Sequence, residues 1–218
     1  FIFMSSMIVY GDSAPYGKEK IINEYTVPSP ANFYGDSKLQ ADVAVRCLAD
    51  ETFRVIVLRP PMIYGRGSKG NYPTLAKLAK KLPVFPNIDN QRSMLHIDNL
   101  CEFLCQIMLV NRWREKAIVL IPQNEEWVRT SNMVKMIADS YNKNIVVSSM
   151  LNPLVGITSV IPGKIGGLVN KAFGNNCYSY TVSKYEGINY WAIDFNGSIV
   201  KTESENDKKK IVFDNKLE

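Results

Sequence analysis

Along the 218 residues, apolar positions fall into short runs and helical stripes separated by polar breaks rich in Gly and Pro. Phe1 to Ser5 is an apolar run closing on Ser5-Ser6. It predicts a short buried strand whose last side chains open into a cleft at the carboxyl end of a sheet. Residues 11 to 32 carry Gly, Pro, Ser and Asn with little apolar period and predict a loop. Tyr34, Lys38, Ala41, Val45 and Leu48 then fall at 4-3-4-3 spacing. That spacing predicts a helix to about Asp50, capped by Asn32 or a neighbour, with this stripe inward. Arg54 to Leu58 is a β-branched run ending at Arg59-Pro60-Pro61, a second buried strand. Strand, helix and strand in this order predict a β-α-β unit in a parallel sheet, with Phe1–Ser5 paired to the strand after the helix.

Further on, Asn71 to Lys81 reads as a helix with Leu75, Leu78 and Ala79 inward, and residues 83 to 90 as a Pro-containing loop. Asp98 is placed to cap a helix carrying Leu100, Phe103, Leu104, Ile107 and Met108 as its apolar stripe. Ala117 to Ile121 reads as a strand, and Thr130 as the cap of a helix with Met133, Val134, Ile137 and Ala138 inward. Val146 to Phe173 is apolar but broken by Pro153, Gly156, Pro162, Lys164 and Gly166-Gly167. It is too interrupted to cross a membrane. We read it as a lid on a substrate lobe in preference to a membrane-surface segment. There are no internal repeats.

The length allows one substantial core and a small second lobe. A net charge of +5 is modest and its lysines are scattered. Lys208-Lys209-Lys210 is offset by Glu203, Glu205 and Asp207, which reads as a solvated tail and argues against a nucleic-acid partner. The basic loop Arg66 to Gly70 reads as surface, with phosphate contact as the rival. Cys47, Cys101, Cys105 and Cys177 have no disulfide-framework spacing. Cys101 and Cys105 could share a helix face near His96, but a fourth ligand and Cys-x-x-Cys spacing are lacking, so the cysteines are assigned to the core and no metal is expected. Nothing argues for secretion, and the expected location is cytoplasmic. The chain opens inside a strand, without signal-peptide architecture.

Tyr-x-x-x-Lys occurs three times, at Tyr16/Lys20, Tyr34/Lys38 and Tyr180/Lys184. On a helix such residues rise from one face, with Cβ atoms roughly 5–6 Å apart. A nearby ammonium favours a phenolate, so such a tyrosine can exchange a proton with a sugar hydroxyl near neutral pH. A serine alongside would hydrogen-bond the same oxygen. Tyr16 lies in a turn-like stretch and Tyr180 follows an Asn-rich segment; only Tyr34 opens a long helical pattern.

Four ordered motifs carry a resemblance. They are Phe3-Met4-Ser5-Ser6-Met7-Ile8-Val9-Tyr10-Gly11; Pro28-Ser29-Pro30 ahead of Tyr34-Gly-Asp-Ser-Lys38; Leu58-Arg59-Pro60-Pro61-Met62-Ile63-Tyr64-Gly65; and Arg92-Ser93-Met94-Leu95-His96-Ile97-Asp98-Asn99-Leu100. Together, over residues 1 to about 110, they resemble the extended short-chain dehydrogenase/reductases of the NAD-dependent nucleotide-sugar epimerase/dehydratase group. The resemblance implies an α/β fold, the C-terminal part of a Rossmann-type parallel sheet with a small, mostly helical substrate-binding lobe. It divides the chain into a cofactor-facing 1–66 and a substrate-facing 67–218 with returning α/β elements. It implies NAD or NADP as cofactor, a nucleotide sugar as substrate, and leaves a homodimer open.

By the same resemblance, Tyr34 exchanges the proton, Lys38 binds nicotinamide ribose and tunes Tyr34, and Ser6 holds the reacting oxygen. Pro61 lies near the nicotinamide, and Asn71 and Arg92 contact the nucleotide and its phosphates. The glycine-rich phosphate-binding turn has no match in this chain, since Gly163-Lys164-Ile165-Gly166-Gly167 follows no strand. The expectation is therefore a C-terminal portion that binds NAD(H) poorly alone and leaves an apolar strand edge. Met7 and Ile8 replace the acid pair of sugar dehydratases, so dehydration is not expected. Met62 stands where many 4-epimerases carry asparagine. Epimerase, 4-keto-sugar reductase, hydroxysteroid-type dehydrogenase and a non-catalytic binding protein of the same fold remain.

Overall fold

The computed structural model describes residues 1–109 and 115–214, with side chains described as far as Ser204 in the last helix. In chain order the first elements are β1 (Ile2–Met4), β2 (Ile21–Ile22), α1 (Phe33–Cys47), β3 (Val55–Leu58), β4 (Met62–Tyr64) and α2 (Asn71–Lys81). Next come β5 (Val84–Pro86), β6 (Met94–His96), α3 (Ile97–Leu109), β7 (Ala117–Leu120) and α4 (Thr130–Ser140). The last are β8 (Val146–Ser148), α5 (Asn152–Ser159), α6 (Lys164–Phe173), β9 (Cys177–Tyr178) and α7 (Phe195–Asp214).

The organising sheet is parallel, in the order β1-β3-β7. Ile2 pairs with Ile56 and Met4 with Leu58, and β7 lies on the other side of β3 with Leu58 opposite Leu120. The expected β-α-β unit is therefore present. β7 returns to this sheet from the second half of the chain. Smaller parallel pairs, β4 with β6, β2 with β9 and β5 with β8, extend outward from it.

Three apolar clusters sit around this frame. Leu58, Leu95, Leu100, Phe103, Leu120 and Tyr190 fill one side of the sheet. Met7, Val9, Tyr10, Ile22, Ile121 and Tyr178 pack beneath the turn that follows β1. Tyr64, Tyr72, Met94, Val134, Ile137 and Ile199 join α2, α4 and α7. That last core is closed by a carboxylate. Glu203, 1% exposed, accepts from the hydroxyls of Tyr72 at 2.8 Å and Tyr141 at 2.5 Å, with the Lys80 ammonium 3.5 Å away. Burial next to Glu203 pushes the Tyr72 phenol up.

Several expectations change. The stripe assigned to the inner face of α1 is inward only in its middle: Lys38, Ala41 and Val45 are half-buried, Tyr34 and Leu48 are exposed, and the fully buried positions are Gly35 and Asp42. Apolar periodicity misses this face because its centre is a charge, Asp42, matched by Arg59. Cys47, Cys101 and Cys105 are exposed, and only Cys177 is buried. On α3 the inner positions are Leu100, Phe103 and Ile107, which turns Cys101 and Cys105 outward.

The loop expected at 11–32 contains β2, and that at 83–90 contains β5; both are short strands held by distant partners that no local pattern reveals. Neither expected cap forms. The Asp98 carboxylate meets Lys201 at 2.7 Å, and the Thr130 hydroxyl donates to the Ala172 carbonyl at 2.8 Å. The expected tail is helical through Asp214, and the side chains of Lys208 to Lys210 lie outside the described residues.

Candidate functional site

The site forms where β1 and β3 end. The backbone N–H of Ser5 donates to Leu58 O at 2.8 Å, and that of Met7 to Pro60 O at 2.9 Å. These bonds carry the strand register past the sheet and set Ser6 beside the Pro60-Pro61 turn. Ser6 is extended and starts a 3-10 turn over Met7–Tyr10, its Oγ accepting from the Ile8 N–H at 3.3 Å. Its own hydroxyl hydrogen remains available to donate.

α1 is brought against that turn by a capping side chain and a glycine. Asn32 Oδ1 accepts from the Gly35 N–H at 3.0 Å. A Cβ at Gly35 would lie 2.9 Å from the Ile8 carbonyl and 3.1 Å from Pro30 Cβ, so only glycine permits this approach. Tyr34 is thereby held at the turn with its side chain 59% exposed, and its hydroxyl makes no hydrogen bond among the described residues.

One turn on, Lys38 donates to the Met4 carbonyl at 3.1 Å, and its ammonium lies 5.6 Å from the centre of the Phe3 ring. Two of its hydrogens are left over at the carboxyl end of β1. A second anchor lies deeper. Asp42 on α1 receives both Arg59 Nε (2.8 Å) and Nη2 (3.1 Å), and Arg59 Nη1 donates to the Tyr10 hydroxyl at 2.7 Å.

Ser6, Tyr34, Pro61, Asn71 and Arg92 all line one cleft of about 710 Å³. Five of the six residues singled out from sequence thus meet around one space. Lys38 is not among the lining residues and lies at the β1 end. The other two Tyr/Lys pairs stand apart from the cleft. Lys20 donates to the carbonyls of Tyr10 and Asp12, and Tyr180 stacks on Trp127 at 4.5 Å. The basic loop at Arg66 is exposed and lines neither this cleft nor the cavity beside it.

That cavity, of about 260 Å³, adjoins the cleft and shares Met62, Asn71, Arg92 and Lys171 with it. Its remaining walls are chiefly apolar, with Leu75, Leu78, Met94 and Met133 among them. Arg92 Nη1 donates to the carbonyls of Lys171 (2.8 Å) and Gly174 (3.1 Å). Among the described residues no carboxylate lies within ion-pair distance of it. Burial holds its guanidinium below the usual arginine range. A cation in that position favours an anion at the neck between the two chambers.

Sequence reasoning missed Lys171, Asn170 and Asn176, which line the same cleft. The Asn176 Oδ1 is buried without a hydrogen-bond partner. The signal was the cluster of asparagines at 170, 175 and 176, noticed only as the setting of Tyr180.

The family model described as NAD dependent epimerase/dehydratase family matches residues 1–120. The chain belongs to that family. It is 29% identical over 147 residues to UDP-glucose 4-epimerase of Vibrio cholerae, covering 66% of this chain and 44% of that protein. Among solved structures, dTDP-glucose 4,6-dehydratase of Bacillus anthracis in complex with NAD superposes with a TM-score of 0.66 at 20% identity. It covers 96% of this chain and 62% of that one. RMD of Pseudomonas aeruginosa complexed with NADPH gives 0.66 at 19% identity, over 94% and 65% of the two chains. These likenesses show a shared fold. The chain spans less than half the length of the Vibrio relative and under two thirds of the solved ones. Within the family frame, Met7 is buried in the core and Met62 lines both chambers.

Proposed function

We propose that the chain supplies the sugar-facing and nicotinamide-facing residues of an NAD(P)-dependent enzyme acting on a nucleotide sugar. The reading favoured is 4-epimerisation through a keto intermediate. What carries it is the meeting of Ser6, Tyr34, Pro61, Asn71 and Arg92 on one cleft. The division at residue 66 into cofactor-facing and substrate-facing segments is part of the proposal.

The residues fit the nicotinamide end of the cofactor. The Lys38 ammonium, with two hydrogens left over beside Met4, suits a ribose diol, and Pro61 offers an apolar face in the same cleft. A nicotinamide held there would supply the hydride acceptor and donor for the sugar carbon. The chain's own part is the proton. Tyr34 as phenolate accepts it from the sugar hydroxyl as that carbon is oxidised, and the resulting phenol gives it back on reduction. The Ser6 hydroxyl donates to the same oxygen, since its lone pair already holds the Ile8 N–H. Arg92, joined by Lys171 and Asn71, holds the diphosphate at the neck, and the apolar chamber takes the base.

Met62 supports a second reading, a 4-keto-sugar reductase, because a methionine in the cleft cannot hydrogen-bond a substrate that must turn over. One assay separates the two. An epimerase equilibrates the 4-epimers of a UDP-hexose with no net change in NADH absorbance. A reductase consumes NAD(P)H in proportion to product. Tyr34→Phe should cost roughly 10²–10⁴-fold in either case. Near-normal turnover by that variant would remove Tyr34 from the chemistry. The nucleotide half is tested separately by titrating the 218-residue chain with UDP. Arg92→Met should weaken binding at least about tenfold, as expected for loss of a charge-assisted contact. Unchanged affinity would take the phosphates away from the neck.

A further inference from the structure

The helical hairpin formed by α5 and α6 turns its large apolar side chains away from the protein. Met150, Leu154, Ile157, Val160 and Ile165 are each between 56% and 88% exposed. Outward-facing apolar side chains on this scale mark a contact surface.

The hairpin is not a loosened piece of core. A Cβ on Gly166 would lie 3.0 Å from the carbonyl oxygen of Ser159, the last residue of α5, and 2.2 Å from that of Ile161 in the connection, so α6 meets the end of α5 at backbone contact. Asn170 donates to the Ser159 carbonyl at 3.0 Å and accepts from the Tyr16 N–H at 2.8 Å. Asn152 donates to the Asn87 carbonyl at 2.9 Å. These polar side chains, together with buried Val155 and the packing of Phe173 on Phe85 at 5.7 Å, fix the inner side to the body, and a second apolar face remains outside.

Charge indicates what covers it. From Ser140 to Tyr185 there is no Asp or Glu, while Lys143, Lys164, Lys171 and Lys184 fall in that stretch. Asp89, two residues from Asn87, is engaged by Arg129 at 3.4 Å. The segment from Val146 to Ala172 contains no aromatic residue and no arginine, the types that anchor protein interfaces. An aliphatic face carrying the exposed Lys164 at the start of α6, in a stretch free of acidic residues, suits a bilayer interface instead, where shallow burial and attraction to anionic headgroups add.

We propose that the α5–α6 hairpin docks the protein peripherally on an anionic phospholipid surface. The proposal concerns the outer face only; the lid reading of the segment stands for its inner side, where Gly167, Asn170 and Lys171 line the cleft. None of the described helices is long and apolar enough to cross a membrane, so the contact is one of lying on the surface. Leu168 and Lys171 also line the chambers described above, which places the substrate neck beside the bilayer.

The test is co-sedimentation of the chain with vesicles of phosphatidylcholine alone and of an equal mixture with phosphatidylglycerol. Binding to the mixed vesicles should be stronger by about tenfold or more at low salt, and should weaken as salt is added. The double variant Ile157→Asp/Val160→Asp touches neither chamber, and should abolish sedimentation while leaving UDP affinity and the melting temperature unchanged. Lys164→Glu should remove most of the preference for the anionic mixture. The proposal is overturned if the unaltered chain stays in the supernatant with both vesicles. It is equally overturned if the double variant binds as well as the parent. A concentration-dependent dimer dispersed by the same double variant, without vesicle binding, would assign the face to a second copy of the chain and overturn it too.

Discussion

Asp42→Asn is the substitution that should damage the fold most for the least change in shape. The Asp42 side chain is fully buried and that of Arg59 is 6% exposed, with Nε–Oδ2 at 2.8 Å. Removing one member of such a pair leaves the other charge buried and uncompensated, which costs about 3–5 kcal/mol. Arg46 contacts the same carboxylate at 2.9 Å, but its side chain is 34% exposed, so Arg46→Ala should cost no more than about 1 kcal/mol. The pH dependence follows from the same contacts. Burial alone would raise the Asp42 carboxyl, but the hydrogen bonds and charges of Arg59 and then Arg46 outweigh it and leave it lowered. A depressed carboxyl contributes stability that is fully present above its unfolded value near 4 and is lost as the pH falls through the folded one. Urea unfolding of the three proteins at neutral and acid pH measures both effects. Adding Arg59→Met to Asp42→Asn should recover part of the loss, because no lone charge is then buried. A loss for Asp42→Asn no larger than that for Arg46→Ala would refute the reasoning and make the pair a surface-like contact.

Three further outcomes are expected. Gly35→Ala, which on an exposed helix would stabilise by up to about 1 kcal/mol, should instead lower the melting temperature, because its Cβ meets the Ile8 carbonyl; a rise would show that α1 can move off the Ser6 turn freely. His96 is the chain's one histidine, and burial lowers it from its ordinary value. Its Nδ1 accepts the Asp98 N–H at 3.3 Å, so the folded ring is neutral and stability should fall as the pH drops below about 6.5; urea midpoints of His96→Gln that keep this pH step would assign it elsewhere. Ser6→Ala should reduce turnover while leaving UDP affinity unchanged, since Ser6 lines the cleft but not the apolar chamber; a matching loss of UDP affinity would move Ser6 to nucleotide binding.

The parallel sheet was legible because its strands are continuous apolar runs and its helix sits between two of them, so local pattern and topology agree. Phe1–Ser5 pairing with the strand after α1 could be read from order alone, and β1 and β3 do pair. Ser6 and Tyr34 were legible through motif order. The buried centre of α1 was not, because a period of apolar residues cannot register Asp42, whose burial depends on Arg59 seventeen positions later. For the same reason β2 and β5 were hidden: two or three residues hold as strands only through partners at Cys177–Tyr178 and Val146–Ser148.

The part of the cleft that the α5–α6 hairpin lines fails to show in sequence for a different reason. Arg92 is recognisable as a cation, but what makes it a phosphate candidate is that its fixed partners are carbonyls of Lys171 and Gly174, about eighty residues away. Those partners sit on α6 and the turn after it, so the geometry of the neck depends on how the α5–α6 hairpin is held. The hairpin is held by Asn170 and Asn152, whose side chains bond across it and to the body. One element therefore carries two surfaces, an inner side that shapes the neck and is pinned by asparagines, and an apolar outer side that faces away. A substitution confined to the outer side, such as Ile157→Asp, should leave the neck intact, whereas Asn170→Ala, which removes a cleft-lining side chain and the hairpin's bonds to Ser159 and Tyr16, should weaken UDP binding. If Asn170→Ala binds UDP as tightly as the parent, the hairpin does not set the neck, and Arg92 keeps its position through the β-bridges to Val128 and Asn176 alone.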